Sequence, residues 1–413
     1  MTLPKTVQSS GRSSNAILWI AAAGAAIIVG GIVIAQLQPL FFPTVGSAEA
    51  QQVDALFRFM FAIGGMIFLL VEGVLVYSIL RYRVKPGDLS DGPPIQGNTT
   101  LEFVWTLIPA IIVLVLTIYS WAVWSSTHSI KPNEHTVSAV GARFAWTFNY
   151  VIDQANLPDG VSIDQLNPEI ADDLRDGGIS FSYNQLATWV DQPVAVSMTT
   201  QDVNHAFWIP GMRVKQDLLA GRTTEIRFTP IEAGVYRIVC AELCGAGHGA
   251  MAGQVVTQLN EAGEEEQVLQ GAWLIVYPDE ATYRREFFEP EAMHALFPPE
   301  DPVLLGRQIL ASGEYPCATC HKLTDLNWAT GVLGPNLDGI GDRADDRIPN
   351  LTGEEYIHQS IREPYAFLVP GYGAIMTQFN DEPNEPNYMP EEDLNAIIAY
   401  LLSQTAGVEA ASN

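Results

Sequence analysis

The sequence of 413 residues contains few basic residues and few cysteines. Lysine and arginine number 21 against 47 aspartates and glutamates, which gives a formal net charge of -26. A chain this acidic cannot neutralise a phosphate backbone, so nucleic acid is excluded as a partner. The same charge favours a basic protein partner through electrostatic steering. Only four cysteines occur, and two short motifs use all of them, so no disulfide framework is available.

Charged residues of either sign are also scarce, at 16% against 48% hydrophobic residues. This balance indicates membrane spans attached to soluble parts. Long apolar runs cover 16–35, Phe59 to Leu80 and Phe103 to Trp124, and about 20 residues suffice to cross a bilayer. The first run fits either an uncleaved helix or a signal peptide. Its small-residue cleavage candidate, at residues 48–50, lies far beyond the apolar run, so we expect the helix to be retained.

A short basic loop, Arg81 to Gly87, separates the second and third apolar runs. The positive-inside rule assigns this loop to the cytoplasm. Everything after the third run is therefore expected on the outer side of the membrane, whether or not the first segment is removed.

The segment from about Lys131 to Tyr277 contains short β-rich runs separated by Gly, Pro, Asn and Asp, a pattern typical of a compact β-sandwich or barrel. The expected strands are Ala145 to Val151, Val194 to Thr200, Thr223 to Thr229, Val235 to Cys240, Gln254 to Gln258 and Trp273 to Tyr277. Two acidic stretches, Pro158 to Asp176 and Glu261 to Glu266, are expected to be surface loops. Residues 279–297 are predicted to be a partly helical linker. The following unit opens and closes with helical runs, Val303 to Ser312 and Glu391 to Ser403.

One short stretch, Cys240 to Met251, carries two thiols, a histidine (His248) and a thioether. His205, 35 residues upstream, is expected to supply a fifth donor. Such soft and borderline donors suit copper. A disulfide and a zinc site are the alternatives, although zinc would leave Met251 without a purpose.

This pattern, His205 followed by Cys-x-Glu-x-Cys-x3-His-x2-Met, resembles the binuclear copper (CuA) loop of cytochrome c oxidase subunit II. The resemblance implies a cupredoxin-like β-sandwich in which Cys240 and Cys244 bridge two copper ions. It further implies that His205, His248 and Met251 are terminal ligands. The backbone oxygen of Glu242 would be a carbonyl ligand. The side chain of Glu242 would help to bind magnesium at the subunit I interface, near Asp217; either carboxylate could instead be an ordinary surface group.

A second motif, Cys317-Ala318-Thr319-Cys320-His321, is the attachment sequence for c-type haem. The residues after it resemble class I cytochrome c. That resemblance implies an all-α domain, an axial His321 whose second N–H is accepted by the carbonyl of Pro335, and terminal helices that cross at Gly306 and Tyr400. Met376 is the favoured sixth ligand, and Met389 is the alternative. Ligation by His and Met tends to raise the reduction potential of a haem.

The start of the third apolar run, Leu101 to Ala110, resembles the second hairpin helix of subunit II. The resemblance implies that Glu102 lies at the mouth of a proton path in subunit I; the alternative is a carboxylate favoured by a helix N-terminus. Glu72, an acid within the membrane, is expected to face protein or water. In the family's aromatic segment Phe144 replaces the outermost tryptophan, which puts docking of a separate cytochrome c in doubt. Trp146 keeps the inner position, either as an electron relay or as core.

The remaining histidines have no ligand partners at suggestive spacing and are expected to be surface or packing residues. They are His128, His135, His294 and His358.

Together these features resemble subunit II of a haem-copper cytochrome c oxidase with a fused C-terminal cytochrome c domain, in a bacterial plasma membrane. The expected boundaries are 1–54, 55–130 for the helical hairpin, 131–278 for the copper domain, 279–297 for the linker and 298–407 for the haem domain. Electrons from a cytochrome, a copper protein or a quinol-oxidising complex would enter at haem c and pass through CuA to subunit I, which reduces oxygen and pumps protons. The alternatives are subunit II of a CuA-type nitric oxide reductase and a free-standing membrane-anchored electron carrier.

Overall fold

A computed structural model describes residues 12–84, 87, 97–259, 265–326, 329, 331–383, 385 and 387–405. These residues form two compact units. The first contains the described residues up to Val45 and Gln51–Thr127, and the second contains Gly46–Ala50 and the described residues from His128 onward.

The described residues of the first unit form three long helices, α1 (Arg12–Gln36), α2 (Ala48–Tyr82, whose first turn belongs to the second unit) and α3 (Thr99–Thr127), and a short 3-10 turn, Gln38–Leu40. Each is long and apolar enough to cross a membrane, and the three apolar runs of the sequence lie within them. A close contact joins α1 to α2 at Gly31, where a Cβ would lie 2.7 Å from the carbonyl oxygen of Ala62. Such small residues let membrane helices approach closely. Lys85 and Pro86 of the predicted basic loop lie outside the described residues.

The second unit begins with a β-sandwich. Its strands are β1 (His135–Ala142), β2 (Ala145–Ile152), β3 (Ile179–Tyr183), β4 (Leu186–Trp189), β5 (Val194–Thr200), β6 (His205–Ile209), β7 (Val214–Leu218), β8 (Thr224–Phe228), β9 (Gly234–Arg237), β10 (Val239–Cys240), β11 (Gln254–Leu259), β12 (Glu265–Gln270) and β13 (Trp273–Tyr277).

The strands form a five-stranded sheet, β3-β2-β1-β5-β8, two three-stranded sheets, β4-β13-β9 and β10-β6-β7, and the hairpin β11-β12. Alternate side chains of β2 point into the core, because successive residues of a strand face opposite sides of the sheet. Trp146, Phe148, Tyr150 and Ile152 are therefore buried. This architecture confirms the cupredoxin-like fold expected from the sequence.

Three local predictions differ from the structure. Part of the first acidic stretch, expected as a loop, forms α4 (Pro168–Asp176), because the Asn167 side chain caps it by accepting from the Ile170 amide at 2.9 Å. In the second acidic stretch Glu265 and Glu266 begin β12, whereas residues 261–264 lie outside the described residues. The strand expected from Val235 to Cys240 is divided into β9 and β10, because the chain leaves the β13 sheet and joins the β6 sheet there.

The segment predicted to be a linker is helical. It forms α5 (Glu280–Tyr283), a π-helical turn (Arg284–Phe288) and α6 (Glu289–Leu296). Its apolar side chains are buried in the same core as the β-sandwich; they are Tyr283, Phe287, Phe288, Ala292 and Leu296.

The C-terminal helical domain, residues 298–405, has a core of its own. Its helices are α7 (Pro302–Ser312), α8 (Cys317–Cys320), α9 (Gly353–Arg362) and α10 (Glu391–Ser403). α7 packs against α10 at Gly306, where a Cβ would overlap the carbonyl oxygen of Ala396. Tyr400 of α10 is buried and donates its hydroxyl to Asp325 Oδ2 at 2.7 Å.

Candidate functional site

The predicted metal ligands come together where β6 and β10 pair. Cys240 at the end of β10 lies opposite Phe207 of β6, and His205 begins that strand. The chain then runs through a loop to a 3-10 turn, His248–Met251. Residues 240–251 are called the ligand loop below.

The donor atoms of the ligand loop and of His205 lie close together. One ligand atom from each of His205, Cys240 and Cys244 lies within 4.8 Å of the other two. Cys240 Sγ is 3.8 Å from His205 Nδ1 and 3.2 Å from the carbonyl oxygen of Glu242. Cys244 Sγ is 3.6 Å from His248 Nδ1 and 3.4 Å from Met251 Sδ.

This donor set fits a binuclear copper centre better than the alternatives. The two cysteines are free in the structure rather than joined in a disulfide. Met251 is buried with its sulfur facing Cys244, and a thioether suits copper rather than zinc. Six donors, two of them the sulfurs of Cys240 and Cys244, are enough to hold two ions.

The two thiols shift each other's pKa in opposite directions. Hydrogen bonding with Cys244 is the main cause that lowers the pKa of Cys240, and the same interaction raises the pKa of Cys244. A thiolate is the form that binds metal. The site therefore already favours negative charge on one sulfur.

Asp202 orients His205, a role that the sequence analysis did not assign. His205 is fully buried, and its Nε2 lies 2.9 Å from Asp202 Oδ1, which leaves Nδ1 directed toward Cys240. Burial acts to raise the pKa of Asp202, but hydrogen bonds from His205, Arg143 and Val203 outweigh it and lower that pKa to about 2. When a carboxylate accepts a hydrogen bond from the ring nitrogen that does not bind the metal, it fixes the tautomer of the ligating histidine. The sequence signal for this contact is the position of Asp202, three residues before His205.

Two aromatic residues of the segment that resembles the family's relay lie beside the ligand loop. Trp146 is 1% exposed and its ring centre lies 5.8 Å from that of His205, edge to face. Phe144 is 3% exposed and its ring presses against Gly247 of the ligand loop. Both are core residues in direct contact with the candidate metal site.

A cavity in the C-terminal helical domain is lined by every residue predicted to hold haem. Cys317, Cys320, His321, Pro335 and Met376 all contribute to its wall, which is otherwise mainly apolar. Concave, mainly apolar pockets with a few convergent polar groups are the usual sites of cofactors. Met389 is fully buried in the core and does not line the cavity, which distinguishes it from Met376.

His321 is held as the resemblance to cytochrome c implies. Its Nδ1 lies 2.8 Å from the carbonyl oxygen of Pro335, so this nitrogen donates and the other is left for a metal. Gly334 packs against the ring, and a Cβ there would lie 2.5 Å from His321 Cε1. Burial lowers the pKa of His321, partly offset by the bond to Pro335, and favours the neutral imidazole that binds iron. The pocket therefore fits a haem ligated by His321.

The two candidate sites face each other within the second unit. A Cβ added at Gly247 of the ligand loop would lie 2.7 Å from Leu333 Cδ1, and Leu333 lines the haem cavity. A small cleft beside this contact is lined by Trp146 and Met251 on one side and by Ala318 and Thr319 of the Cys-x-x-Cys-His motif on the other.

Several other predicted site residues have local partners or exposed positions. Glu102 Oε1 accepts from the backbone amide of Asn98 at 3.2 Å, at the start of α3. The side chains of Glu72, Asp217 and Glu242 are exposed.

The histidines expected as surface or packing residues lie away from the candidate metal site. His135 packs among Tyr150, Trp189 and Tyr283. His294 lies 3.6 Å from Glu291, His358 lies 3.4 Å from Glu391, and His128 is exposed.

Comparison with known proteins identifies the family. Residues 35–123 match the family described as cytochrome c oxidase subunit II, transmembrane domain, and residues 135–258 match its periplasmic domain. Cytochrome c oxidase subunit 2 of Synechocystis sp. is 36% identical over 236 residues, covering 51% of this chain and 69% of that protein. The corresponding protein of Thermostichus vulcanus is 32% identical over 248 residues, covering 53% and 75%. That of Alkalihalophilus pseudofirmus is 26% identical over 344 residues, covering 82% and 83%. The chain therefore belongs to the cytochrome c oxidase subunit II family.

Proposed function

We propose that this subunit receives electrons through a covalent haem c in its C-terminal helical domain and delivers them through binuclear copper to subunit I, where oxygen is reduced to water and protons are pumped. Membership of the family makes the chain a subunit of a haem-copper oxidase, anchored in the membrane with its soluble part on the outer side. The family also implies copper in this subunit and the oxygen-reducing site in subunit I.

In the copper site each donor has a distinct role. Cys240 and Cys244 would supply thiolates to both ions as bridging ligands, and His205, His248 and Met251 would be the terminal ligands. The backbone carbonyl of Glu242, 3.2 Å from the sulfur of Cys240, completes the set. Burial of both cysteines and of Met251 keeps water from the donors.

In the haem site Cys317 and Cys320 supply the sulfurs for thioether bonds, and His321 is the axial ligand oriented by Pro335. Met376 is the sixth ligand, a choice supported by its place in the cavity wall. When bound, the haem and the copper pair supply reversible one-electron oxidation and reduction.

The observation that carries the proposal is the contact between the two sites. Leu333 of the haem cavity meets Gly247 of the ligand loop, and Phe144 is packed into the same junction. Phe144, which stands where the family has its outermost tryptophan, is thus buried beside the chain's own C-terminal domain. The donor to the copper site is therefore supplied by the same polypeptide.

Three further roles follow from the resemblance to the family. Trp146 relays electrons beside His205, a role favoured by their 5.8 Å ring separation. Glu102 opens the proton path into subunit I, in addition to its bond to the Asn98 amide. Glu242, whose side chain is exposed, binds magnesium at the subunit I interface.

The upstream donor to the haem is a cytochrome, a copper protein or a quinol-oxidising complex. The net charge of -26 favours a donor with a basic surface. The match to the Alkalihalophilus pseudofirmus protein is too long to end before the C-terminal domain, which supports a shared arrangement of the two domains.

Purification of the oxidase complex with two reciprocal double variants tests this function. Cys240→Ser with Cys244→Ser should abolish the mixed-valence electron spin resonance signal of copper and leave the covalent haem in place. Cys317→Ser with Cys320→Ser should remove the covalent haem and leave the electron spin resonance signal of copper in place. Both should lose oxygen consumption driven by an external donor. Retention of the copper signal in the first variant would contradict the proposal, and turnover of nitric oxide instead of oxygen by the parent complex would assign the subunit to a nitric oxide reductase.

A further inference from the structure

Arg143 lies between the two candidate redox sites, in the turn that joins β1 to β2. It contributes to the wall of the predicted haem cavity. Its backbone carbonyl accepts a hydrogen bond from Thr377 Oγ1 at 3.2 Å, and Thr377 directly follows Met376. One side of Arg143 therefore contacts the segment that presents the sixth haem ligand.

The other side of Arg143 contacts the carboxylate that orients His205. The backbone amide and Nε of Arg143 donate to Asp202 Oδ2 at 2.9 Å and 3.1 Å. Asp202 Oδ1 lies 2.9 Å from His205 Nε2. A continuous hydrogen-bonded chain thus runs from Thr377 through Arg143 and Asp202 to His205.

Asp202 is the shared acceptor in this chain. Its side chain is 11% exposed, that of His205 is fully buried and that of Arg143 is 46% exposed. A carboxylate paired with a ligating histidine raises the basicity of the imidazole. Because Arg143 draws negative charge from the same carboxylate, it weakens that effect on His205.

We propose that Arg143 is a positioning residue shared by both redox sites, which adjusts the basicity of His205 through Asp202 and fixes the Met376 segment through its bond to Thr377. This inference rests on the proposed function, because it takes His205 as a copper ligand and Met376 as a haem ligand. Its consequence is that the copper site and the segment that presents Met376 are linked through one residue, by its side chain on the copper side and by its backbone carbonyl on the haem side.

A double-mutant cycle in the purified oxidase complex tests the inference. Asp202→Asn removes the negative charge beside His205. It should raise the reduction potential of the copper site by roughly 59 mV, which corresponds to a tenfold change in the one-electron equilibrium constant. It should also weaken copper retention against a chelator by about 10- to 100-fold, as expected for loss of a partner to a ligating histidine. Arg143→Gln should lower the copper potential when Asp202 is present and have much less effect in the Asp202→Asn background.

Arg175→Gln is the matched control. Arg175 pairs with Asp172 in the exposed α4, and both side chains are more than half exposed. Arg175→Gln removes one positive charge from the same unit, as Arg143→Gln does. It should shift neither the copper nor the haem reduction potential.

Additive shifts in the cycle would overturn the inference, because Arg143 would then act without Asp202. If Asp202→Asn does not assemble, Arg143→Gln decides alone: it should lower the copper potential, because it removes the bond from Nε to Asp202, and an unchanged copper potential overturns the inference. A parent complex without copper or haem signals would instead refute the proposed function itself, so the two failures are distinguishable.

Discussion

At the scale of single residues, the clearest contrast is between the two methionines of the C-terminal helical domain. Met376 lines the haem cavity, whereas Met389 is fully buried in the apolar core. Met376→Leu keeps the volume and removes the thioether, so it should lower the haem reduction potential. Met389→Leu, the matched control, should leave the potential unchanged and cost less than about 1.5 kcal/mol of stability. Redox titration of the haem in both variants checks this, and the opposite pattern would assign Met389 as the ligand.

His135 gives a prediction about pH. Burial among aromatic rings lowers its pKa from 6.5 to about 4. Between these values the unfolded chain holds the proton and the folded chain does not, so stability rises with pH across this window. As pH falls from 6.5 to 4, the protonation of His135 should lower the free energy of unfolding by up to about 3 kcal/mol.

Replacement of His135 by Phe removes the titrating group and keeps an aromatic ring. The variant should show a flatter dependence of unfolding on pH between 4 and 6.5, as measured by denaturant titration. An unchanged slope in the His135 variant would show that this group does not titrate as described.

At the scale of secondary-structure elements, the C-terminal helical domain depends on the close approach of α7 to α10. Gly306→Ala would place a Cβ against the carbonyl oxygen of Ala396, and overpacking of this kind costs about 1–3 kcal/mol. Thermal unfolding followed by haem absorbance should show a lower midpoint. Gly64→Ala in α2 is the control, because no atom lies within 4 Å of its added Cβ. An unchanged midpoint in Gly306→Ala would mean that the helices can separate without cost.

The sequence predicted those elements whose signals are local. The three apolar helices, β5 and β13 were predicted from composition and alternation. Strands β1, β6 and β7 were not predicted. β1 and β6 pair with segments distant in the sequence, β5 and β10, and a local pattern does not show such pairing. α4 was missed because its acidic composition was read as a loop, although Asn167-Pro168 is a recognisable helix start.

The same distinction holds for the candidate site. The ligand loop and the Cys-x-x-Cys-His motif are contiguous, so spacing predicted their residues. The bonds of Asp202 to Arg143 and of Thr377 to Arg143 join residues far apart in the chain, and spacing alone could not predict them.

At the scale of the whole molecule, the soluble unit contains both candidate redox sites in contact. The helical segment 279–297, expected to be a linker, instead contributes buried aromatic side chains to the β-sandwich core. It therefore provides a fixed support before the C-terminal helical domain. Phe144, at the position of the family's outermost tryptophan, is buried, which agrees with the proposal that the donor is built into the subunit.

The most direct test of the account is to deliver a single electron to the haem of the purified oxidase complex by rapid photoreduction. Absorbance changes of the haem and of the copper centre are then followed together. The account predicts that the haem is reoxidised while the copper centre is reduced in equal amount and at the same rate, and that the Cys240→Ser, Cys244→Ser double variant leaves the haem reduced. Reduction of copper in the Cys317→Ser, Cys320→Ser double variant as fast as in the parent would contradict it.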